Sequence, residues 1–280
     1  MDAKAQIILE SVLLAGTAYF FSIENGIRWG SGALPTPEVR RSLVAKGVIS
    51  SDGKLADPSF GYACYEHYRQ RYKPDSFDLL LQQEAGQHRR ILDLCCGAGA
   101  TIFSMLQHGP ELVYGIDADA EQTALLEALL LRANIPDHSV ITKTADAHHI
   151  PLGDAAVDLA ICRAALQYLD AEQTLEELYR VLSPGGKVFL LVHGSGYSWD
   201  YLFTRKGILK PKTFSFVKSR LYRSRTAQPA HSRSQANYFT TKRLGKMLEA
   251  KGFRHIQRHT FADSMRLGLL PVYFAMTAER

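Results

Sequence analysis

The sequence predicts an α/β fold built on a parallel, Rossmann-like sheet with helices on both faces. Between Arg90 and His193, short apolar runs alternate with helix-like segments, which is the pattern of consecutive β-α-β units. The first apolar run leads into a glycine turn, Gly97-Ala98-Gly99, and the next apolar run ends in Asp117. This order of elements is typical of a nucleotide-binding sheet: a strand, a glycine turn, a helix and a second strand that ends in a carboxylate.

The glycine turn predicts a ligand site at the carboxyl end of the first strand. Glycines at such a turn allow positive φ and a close approach of the backbone to a ligand. Asp117 is placed to accept hydrogen bonds from the hydroxyls of a ribose. A dinucleotide fingerprint has a third small residue after the two glycines, but this chain has Ile102 there, which argues against NAD or FAD.

The acid that precedes the glycines changes the interpretation of this turn. Asp93, Gly97 and Gly99 form the pattern D-x-x-x-G-x-G, which resembles motif I of the class I S-adenosylmethionine-dependent methyltransferases. Three later blocks, 140–152, 155–163 and 178–191, resemble that family in order and spacing. The resemblance covers roughly residues 75–193 and 240–280 and includes the small-molecule enzymes of ubiquinone and menaquinone biosynthesis.

The resemblance implies a methyltransferase with S-adenosylmethionine as its cofactor. It also implies a seven-stranded, mostly parallel sheet whose reversed seventh strand forms a hairpin with the sixth. In the family, the strand-2 acid holds the ribose, the Asp-Ala pair after strand 3 meets the adenine, and the glycines pass under the methionine. The expected cofactor-binding residues are Asp93, Gly97, Gly99, Asp117, Ala118, Asp146, Ala147, Arg163 and Tyr72.

Residues 1–74 are predicted to form a helical N-terminal cap, followed by a methyltransferase domain over residues 75–280. The segment from Ile7 to Phe21 is largely apolar, but it is shorter than a membrane span of about 20 residues and contains Glu10. One helical face is expected at three- and four-residue spacing, packed on the core or on a second subunit in a homodimer. Its members are Ile8, Val12, Ala15, Tyr19 and Ile23.

Two further helices are predicted in the cap, one over Glu38 to Val48 and one after Pro58. The second helix carries a stripe of phenols at helical spacing: Tyr62, Tyr65, Tyr68 and Tyr72. Such a stripe packs on a core in most proteins. The alternative is that some of these rings roof the cofactor and the substrate.

After the core strands, helix and strand signals continue to the end of the chain. Asp170 is predicted to begin a helix that runs through Leu182, and Pro184 and two glycines follow it. Thr240 is predicted to cap a helix that ends at Lys251. Two strands are then expected, over Arg254 to Phe261 and Val272 to Thr277.

A basic insertion, residues 194–239, lies between strand 5 and that last helix. Over residues 203–243 the chain has eleven basic residues and no acid, and since the whole chain carries +5, the remainder without them would carry −6. The charge is explained by a solvated surface, or by a phosphate or carboxylate on a small substrate, an acidic carrier protein or a nucleic acid. One hypothesis is a cationic lid whose hinges are Gly194, Gly196 and Gly207.

Acceptor-facing residues are expected after strands 4 and 5, because ligands of open α/β sheets bind at the carboxyl ends of the strands. His193 is the candidate general base, since imidazole titrates near neutrality. Tyr168 is the second catalytic candidate, and a structural role remains the alternative for both. No metal site is expected: His148 and His149 are adjacent on an extended segment and point to opposite faces, and no third ligand lies nearby.

The sequence around strand 4 favours a small-molecule acceptor over a nucleic acid. Strand 4 ends in Ile161-Cys162-Arg163-Ala164, which lacks the Asn/Asp-Pro-Pro-Tyr motif of the enzymes that methylate nucleobase amines or glutamine amides. Two alternatives remain open. One is an RNA or protein methyltransferase that docks its substrate on the basic insertion, and the other is a binding module without catalysis.

Composition is consistent with a cytoplasmic globular protein. The chain has 280 residues with a hydrophobic fraction of 46%, which is enough for a sizeable core. Its four cysteines form no C-x-x-C pair, and the adjacent pair Cys95-Cys96 is poorly placed for a disulfide. We therefore expect free thiols and a reducing compartment.

Overall fold

The computed structural model describes residues 1–27, 29, 33–200, 238–261, 264 and 266–280. Its helices are α1 Asp2–Leu9, α2 Ser11–Glu24, α3 Pro37–Ala45, α4 Pro58–Tyr72, α5 Ser76–Ala85, α6 Ala100–Leu106, α7 Ala120–Arg132, α8 Ala171–Val181, α9 Tyr197–Asp200 and α10 Thr241–Ala250, with a 3₁₀ turn Leu166–Tyr168. Its strands are β1 Arg90–Leu94, β2 Leu112–Asp117, β3 Val140–Thr144, β4 Val157–Arg163, β5 Leu182–His193, β6 Arg254–His259, β7 Arg266–Leu267, β8 Leu270–Pro271 and β9 Tyr273–Glu279.

Seven strands form one sheet in the order β3-β2-β1-β4-β5-β9-β6. Strands β1 to β5 are parallel, and β9 runs antiparallel to both of its neighbours, β5 and β6. The short strands β7 and β8 pair with each other inside the connection between β6 and β9. The predicted α/β class, the seven-stranded sheet and the reversed last strand are confirmed. Because β1 to β5 are parallel, their carboxyl ends lie along one edge of the sheet.

The central strands are buried because helices cover both faces of the sheet, as apolar runs in a parallel sheet require. Residues 159–162 of β4 are fully buried, and so are Ile91 and Leu92 of β1. Helix α6 approaches β2 so closely that a Cβ on Gly115 would lie 2.7 Å from Cδ1 of Ile102. Ile102 occupies the position where a dinucleotide fingerprint has a small residue. Its side chain packs against Gly115 of β2, which has no side chain of its own.

Several element boundaries differ slightly from the sequence-based expectation. Helix α8 has Asp170 as its N-cap, as predicted, but ends at Val181 because Leu182 already pairs with Val157 in the sheet. Thr240 caps α10, as predicted. Strand β6 stops at His259, two residues before the expected end, and α3 stops at Ala45 rather than at Val48.

The predicted apolar face of the N-terminal helix was wrong. The chain breaks at Glu10 into α1 and α2, which meet at 97°. Val12 and Ile23 are 55% and 57% exposed, whereas the buried side of α2 includes Leu14 and Phe21. Helix α2 is apolar around most of its circumference, so spacing alone did not identify which stripe packs on the rest of the cap.

Neither helix of the N-terminal pair could cross a membrane alone, and the same holds for every single helix in the described part of the chain. By length and composition, α1 and α2 taken together do reach the hydropathy of a span, as a bent pair.

The tyrosine stripe of α4 mainly packs the cap together. Tyr62 and Tyr65 lie 5.8 and 5.4 Å from the ring of Phe21 on α2, measured between ring centroids. Tyr68 stacks on Trp29 at 4.9 Å. Tyr72, the expected cofactor contact, is 47% exposed at the end of the helix.

Substitutions on α2 distinguish its two sides. Replacing Leu14, which is fully buried, by alanine is expected to lower the free energy of unfolding by about 2–5 kcal/mol. Replacing Val12 by alanine on the same helix should change it by less than about 0.5 kcal/mol, since that side chain is mostly solvated. Urea unfolding followed by circular dichroism measures both, and equal losses would contradict the observed orientation.

Candidate functional site

The glycine turn is fixed to the end of the neighbouring strand through Asp117. One carboxylate oxygen of Asp117 accepts a hydrogen bond from the backbone N–H of Gly97 at 2.8 Å, and the other accepts from the N–H of Asp119 at 2.9 Å. The N–H groups of Cys95 and Cys96 both donate to the carbonyl of Ile116, at 2.7 and 3.1 Å. The predicted ribose-binding acid and the predicted turn are thus joined directly.

The backbone conformation of the turn requires its glycines. Gly97 and Gly99 have φ of +53° and +77°, in the left-handed region that glycine tolerates best. At Gly99 an added Cβ would lie 2.3 Å from Cδ1 of Leu126 on α7, so a side chain would also clash. Cys95 adopts φ of +61° without being glycine, which is a locally strained conformation of the kind found at functional sites.

Asp93 lies buried beneath the turn. Its side chain is 2% exposed, and its Oδ2 has no hydrogen-bond partner within the described residues. Burial raises the pKa of this carboxyl to about 7, with the positive charge of Arg163 opposing the shift and the carboxylate of Asp117 adding to it. A buried, unsatisfied carboxylate is costly for a fold unless a ligand completes it.

Asp146 and Ala147 follow β3 at the same edge of the sheet. Oδ1 of Asp146 accepts the backbone N–H of His148 at 3.0 Å and lies 2.7 Å from Nδ1 of its ring. Nε2 of that ring accepts from the N–H of Asp170 at 3.0 Å, so the ring proton is on Nδ1. His148 therefore fixes the Asp146 carboxylate to the start of α8, a role that sequence reasoning missed. Ala118 is exposed beside Asp117.

His148 belongs to no candidate metal cluster: within the described ranges, no three His, Cys, Asp or Glu side chains are grouped to hold an ion.

Arg163 connects the end of β4 to the N-terminal cap. Its guanidinium lies 3.1 Å from Glu66 on α4 and 2.8 Å from Asp78 on α5. Although burial opposes the shift, Arg163 and Arg69 hold the pKa of Asp78 at about 2, so the carboxylate is charged at neutral pH. The expected cofactor residue Arg163 is thus engaged in a buried ion network beside Asp93.

His67 on α4 is a second contact between the cap and the site, and the sequence-based analysis did not identify it. Its Nε2 lies 2.8 Å from the carbonyl oxygen of Ala98, between the two turn glycines, and since a carbonyl only accepts, Nε2 is the donor. Burial lowers the pKa of His67 to about 4, which keeps the ring neutral at physiological pH. Its only sequence signal is a position among the tyrosines of α4.

The two catalytic candidates lie together at the carboxyl ends of β4 and β5. The rings of Tyr168 and His193 are 5.8 Å apart in an edge-to-face arrangement. His193 is buried and stacks on Tyr197 at 3.7 Å, and Tyr273 meets its edge at 5.2 Å. Tyr197 follows His193 by four residues, whereas Tyr273 reaches this site through the pairing of β9 with β5.

The basic insertion falls largely on residues 201–237, which lie outside the described residues, so the lid hypothesis and the hinge at Gly207 stay predictions. The two described candidate hinges, Gly194 and Gly196, donate backbone hydrogen bonds to Val272 and Pro271, each at 2.9 Å. Added Cβ atoms would lie 2.3 and 2.7 Å from carbonyl oxygens of the chain at 270–271. Close packing is therefore one reason for glycine at these positions.

Comparisons with known proteins agree with this arrangement. Residues 92–190 match the family model described as a methyltransferase domain. A demethylmenaquinone methyltransferase of Lactobacillus johnsonii is 30% identical over 174 residues, which cover 59% of this chain and 68% of the relative. An uncharacterized methyltransferase of Mycobacterium tuberculosis is 34% identical over 135 residues, which cover 48% of this chain and 51% of the relative. The match thus spans about half the length of the mycobacterial relative.

A solved structure supports the fold. An S-adenosylmethionine-dependent methyltransferase from Mesorhizobium loti superposes with a TM-score of 0.52 at 20% identity, covering 74% of this chain and 98% of the other. With the sequence relatives, the motif order and this geometry in agreement, the chain belongs to the class I S-adenosylmethionine-dependent methyltransferases.

Proposed function

We propose that this protein transfers the methyl group of S-adenosylmethionine to a small-molecule acceptor. The observation that carries the proposal is the convergence of two residue sets at one edge of the sheet. Asp93, the glycine turn and Asp117 lie at the ends of β1 and β2, while Tyr168 and His193 lie at the ends of β4 and β5. A cofactor and an acceptor that bind at this edge would meet near its centre.

The residues at the cofactor side fit S-adenosylmethionine. The unsatisfied Oδ2 of buried Asp93 suits a ligand that brings positive charge, and this cofactor is cationic at its amino group and its sulfur. Gly97 leaves open space beside the turn, where an added Cβ would meet no atom closer than 3.9 Å. Asp117 would hold the ribose hydroxyls, and Asp146 with Ala147 would hold the adenine.

When bound, S-adenosylmethionine supplies a methyl group that is activated by the positive charge of its sulfur. The protein then contributes mainly proximity and alignment of the acceptor. His193 can take a proton from an acceptor that must lose one, and stacking on Tyr197 fixes the plane of its ring. Tyr168 faces His193 and offers a hydroxyl for orienting the acceptor.

A small acceptor is supported by the sequence at the end of β4 and by the nature of the named relative. That segment lacks the motif of nucleobase and glutamine-amide methyltransferases. The Lactobacillus johnsonii relative is by name a demethylmenaquinone methyltransferase, whose acceptor is a small molecule. The rival proposal, an RNA or protein substrate, is favoured by the basic charge of residues 203–243 and by relatives that are named as malonyl-[acyl-carrier protein] O-methyltransferases.

Transfer of a radioactive methyl group distinguishes these acceptor classes. The protein is incubated with methyl-labelled S-adenosylmethionine and with small-molecule, RNA and protein fractions of a cell extract. We expect label in the small-molecule fraction, and its loss with Asp117→Ala, because losing a hydrogen bond to a charged group costs about 1.5–3 kcal/mol. Asp137→Ala, at an exposed acid before β3, is the matched control. Label in RNA or protein alone would contradict the proposal.

The pH dependence of cofactor binding tests the role of Asp93. Because its pKa is raised to about 7, the ionised fraction of this carboxyl grows between pH 5.5 and 7. Affinity for the cationic cofactor should rise over this range, by at most about tenfold per pH unit. The Asp93→Asn protein should show weaker and nearly pH-independent binding in isothermal titration. An unchanged pH profile in Asp93→Asn would exclude this role.

Substitution of His67 tests whether the cap positions the cofactor turn. His67→Ala should weaken cofactor binding by roughly two- to tenfold, since a buried hydrogen bond contributes about 0.5–1.5 kcal/mol. His67→Gln keeps a donor and should recover part of the affinity. The control is Cys64→Ala, a fully buried position on the same helix whose thiol interacts with Thr17 of α2. Equal affinity losses in the His67→Ala and Cys64→Ala proteins, at matched melting temperatures, would show that only cap stability matters.

A further inference from the structure

An open cavity of about 460 Å³ lies between the first turn of α8 and one side of α10, from Thr240 to Ala250. Its lining includes Glu172 on α8, and Thr240, Lys242, Arg243 and Lys246 on or next to α10. Nothing in the cofactor site uses these residues, so the cavity is a separate feature of the molecule.

The chain topology places this cavity beside the acceptor side of the site. The N–H of Phe239, directly before Thr240, donates to the carbonyl of His193 at 3.2 Å. On the other wall, Glu172 follows Tyr168 by four residues. Tyr168 is therefore close in sequence to one wall of the cavity, and His193 is hydrogen-bonded to the segment that leads into the other wall.

The cavity is strongly cationic. Lys242, Arg243 and Lys246 are exposed, and no acid in the described ranges forms an ion pair with them. Glu172 on the facing wall is 3.6 Å from Lys251, which also pairs with Glu176 at 3.1 Å, so the three cations outnumber one partly compensated acid. The guanidinium of Arg243 is further held over the ring of Phe239, 5.8 Å from its centroid.

These cations stand where a helix favours acids. Lys242 and Arg243 belong to the first turn of α10, which has no acidic residue, and the N-terminal end of a helix carries partial positive charge. Lys246 follows Lys242 by four residues, so the two like charges are neighbours on the helix surface. Both arrangements are unfavourable for the protein alone and become favourable when an anion binds between the cations.

We propose that this cavity binds a phosphate group carried by the methyl acceptor. The proposal rests on the methyl transfer proposed above and assigns its substrate to the class of phosphate esters. Three cations around one cavity suit a dianion better than a single carboxylate, and two of them are lysines, which act as point charges on phosphate. Binding there would hold the acceptor beside Tyr168 and His193.

The experiment uses inorganic phosphate as the probe and the full chain. Backbone amide resonances are followed by NMR during titration with sodium phosphate at constant ionic strength, and separately with sodium acetate. The test variant is Lys242→Gln/Lys246→Gln. The charge-matched control is Arg254→Gln/Arg258→Gln, which removes two exposed cations from β6. Affinity for S-adenosylmethionine is measured by isothermal titration on every sample.

In the wild type and in the control, phosphate is expected to cause saturable changes in the amide chemical shifts of residues 239–246. The lysine variant should bind phosphate at least fivefold more weakly. Acetate should bind more weakly than phosphate. Three results would each overturn the proposal. The first is a lysine variant that binds phosphate as tightly as the wild type, the second is non-saturable chemical-shift changes spread over all basic residues, and the third is acetate binding as tightly as phosphate. Wild-type protein that fails to bind S-adenosylmethionine would instead overturn the proposed methyl transfer, whatever phosphate does.

Discussion

The hydrogen bond between the Asp117 carboxylate and the Gly97 N–H, 2.8 Å long, is the contact on which the candidate site depends. It joins the end of β2 to the turn that follows β1, and therefore fixes the glycine turn relative to the acid. The turn can adopt its positive φ angles because Gly99 has no side chain that would collide with Leu126. In the neighbouring strand, Gly115 likewise has no side chain that would collide with Ile102. Close helix–sheet packing and the ligand-binding conformation of the backbone are thus two consequences of the same small residues.

The N-terminal cap is part of this site rather than a separate cover. His67 donates to the carbonyl of Ala98 within the turn, and Glu66 and Asp78 receive Arg163 from the end of β4. Arg163 also lies near Asp93, and burial raises the pKa of that carboxyl to about 7. Because truncating one member of a buried ion network leaves the others without partners, the cap and the core are expected to unfold together. Cofactor binding at this turn, as proposed, would therefore be linked to docking of the cap.

Charge and aromatic character are distributed unequally around the parallel edge of the sheet. Acids lie at the ends of β1, β2 and β3, where a cationic cofactor would bind, and rings surround His193 at the ends of β4 and β5. Cations follow on α10, just beyond Phe239. An acceptor at this edge would therefore meet apolar surface next to the reacting methyl group and positive charge farther out. Such a gradient orients an elongated molecule that has one anionic end.

The amino-acid sequence was enough to predict the sheet, the glycine turn and the acids at the strand ends. Each of these depends on a local rule: apolar runs form buried strands, and left-handed φ favours glycine. The sequence did not determine which stripe of α2 is buried, because that helix is apolar nearly all round. Nor did it reveal that His67 meets Ala98, 31 residues away, or that Arg163 meets Glu66, 97 residues away. Those pairs are brought together by the packing of the cap on the core. Local patterns thus defined the elements and the glycine turn, whereas the polar side chains that support the turn were selected by tertiary packing.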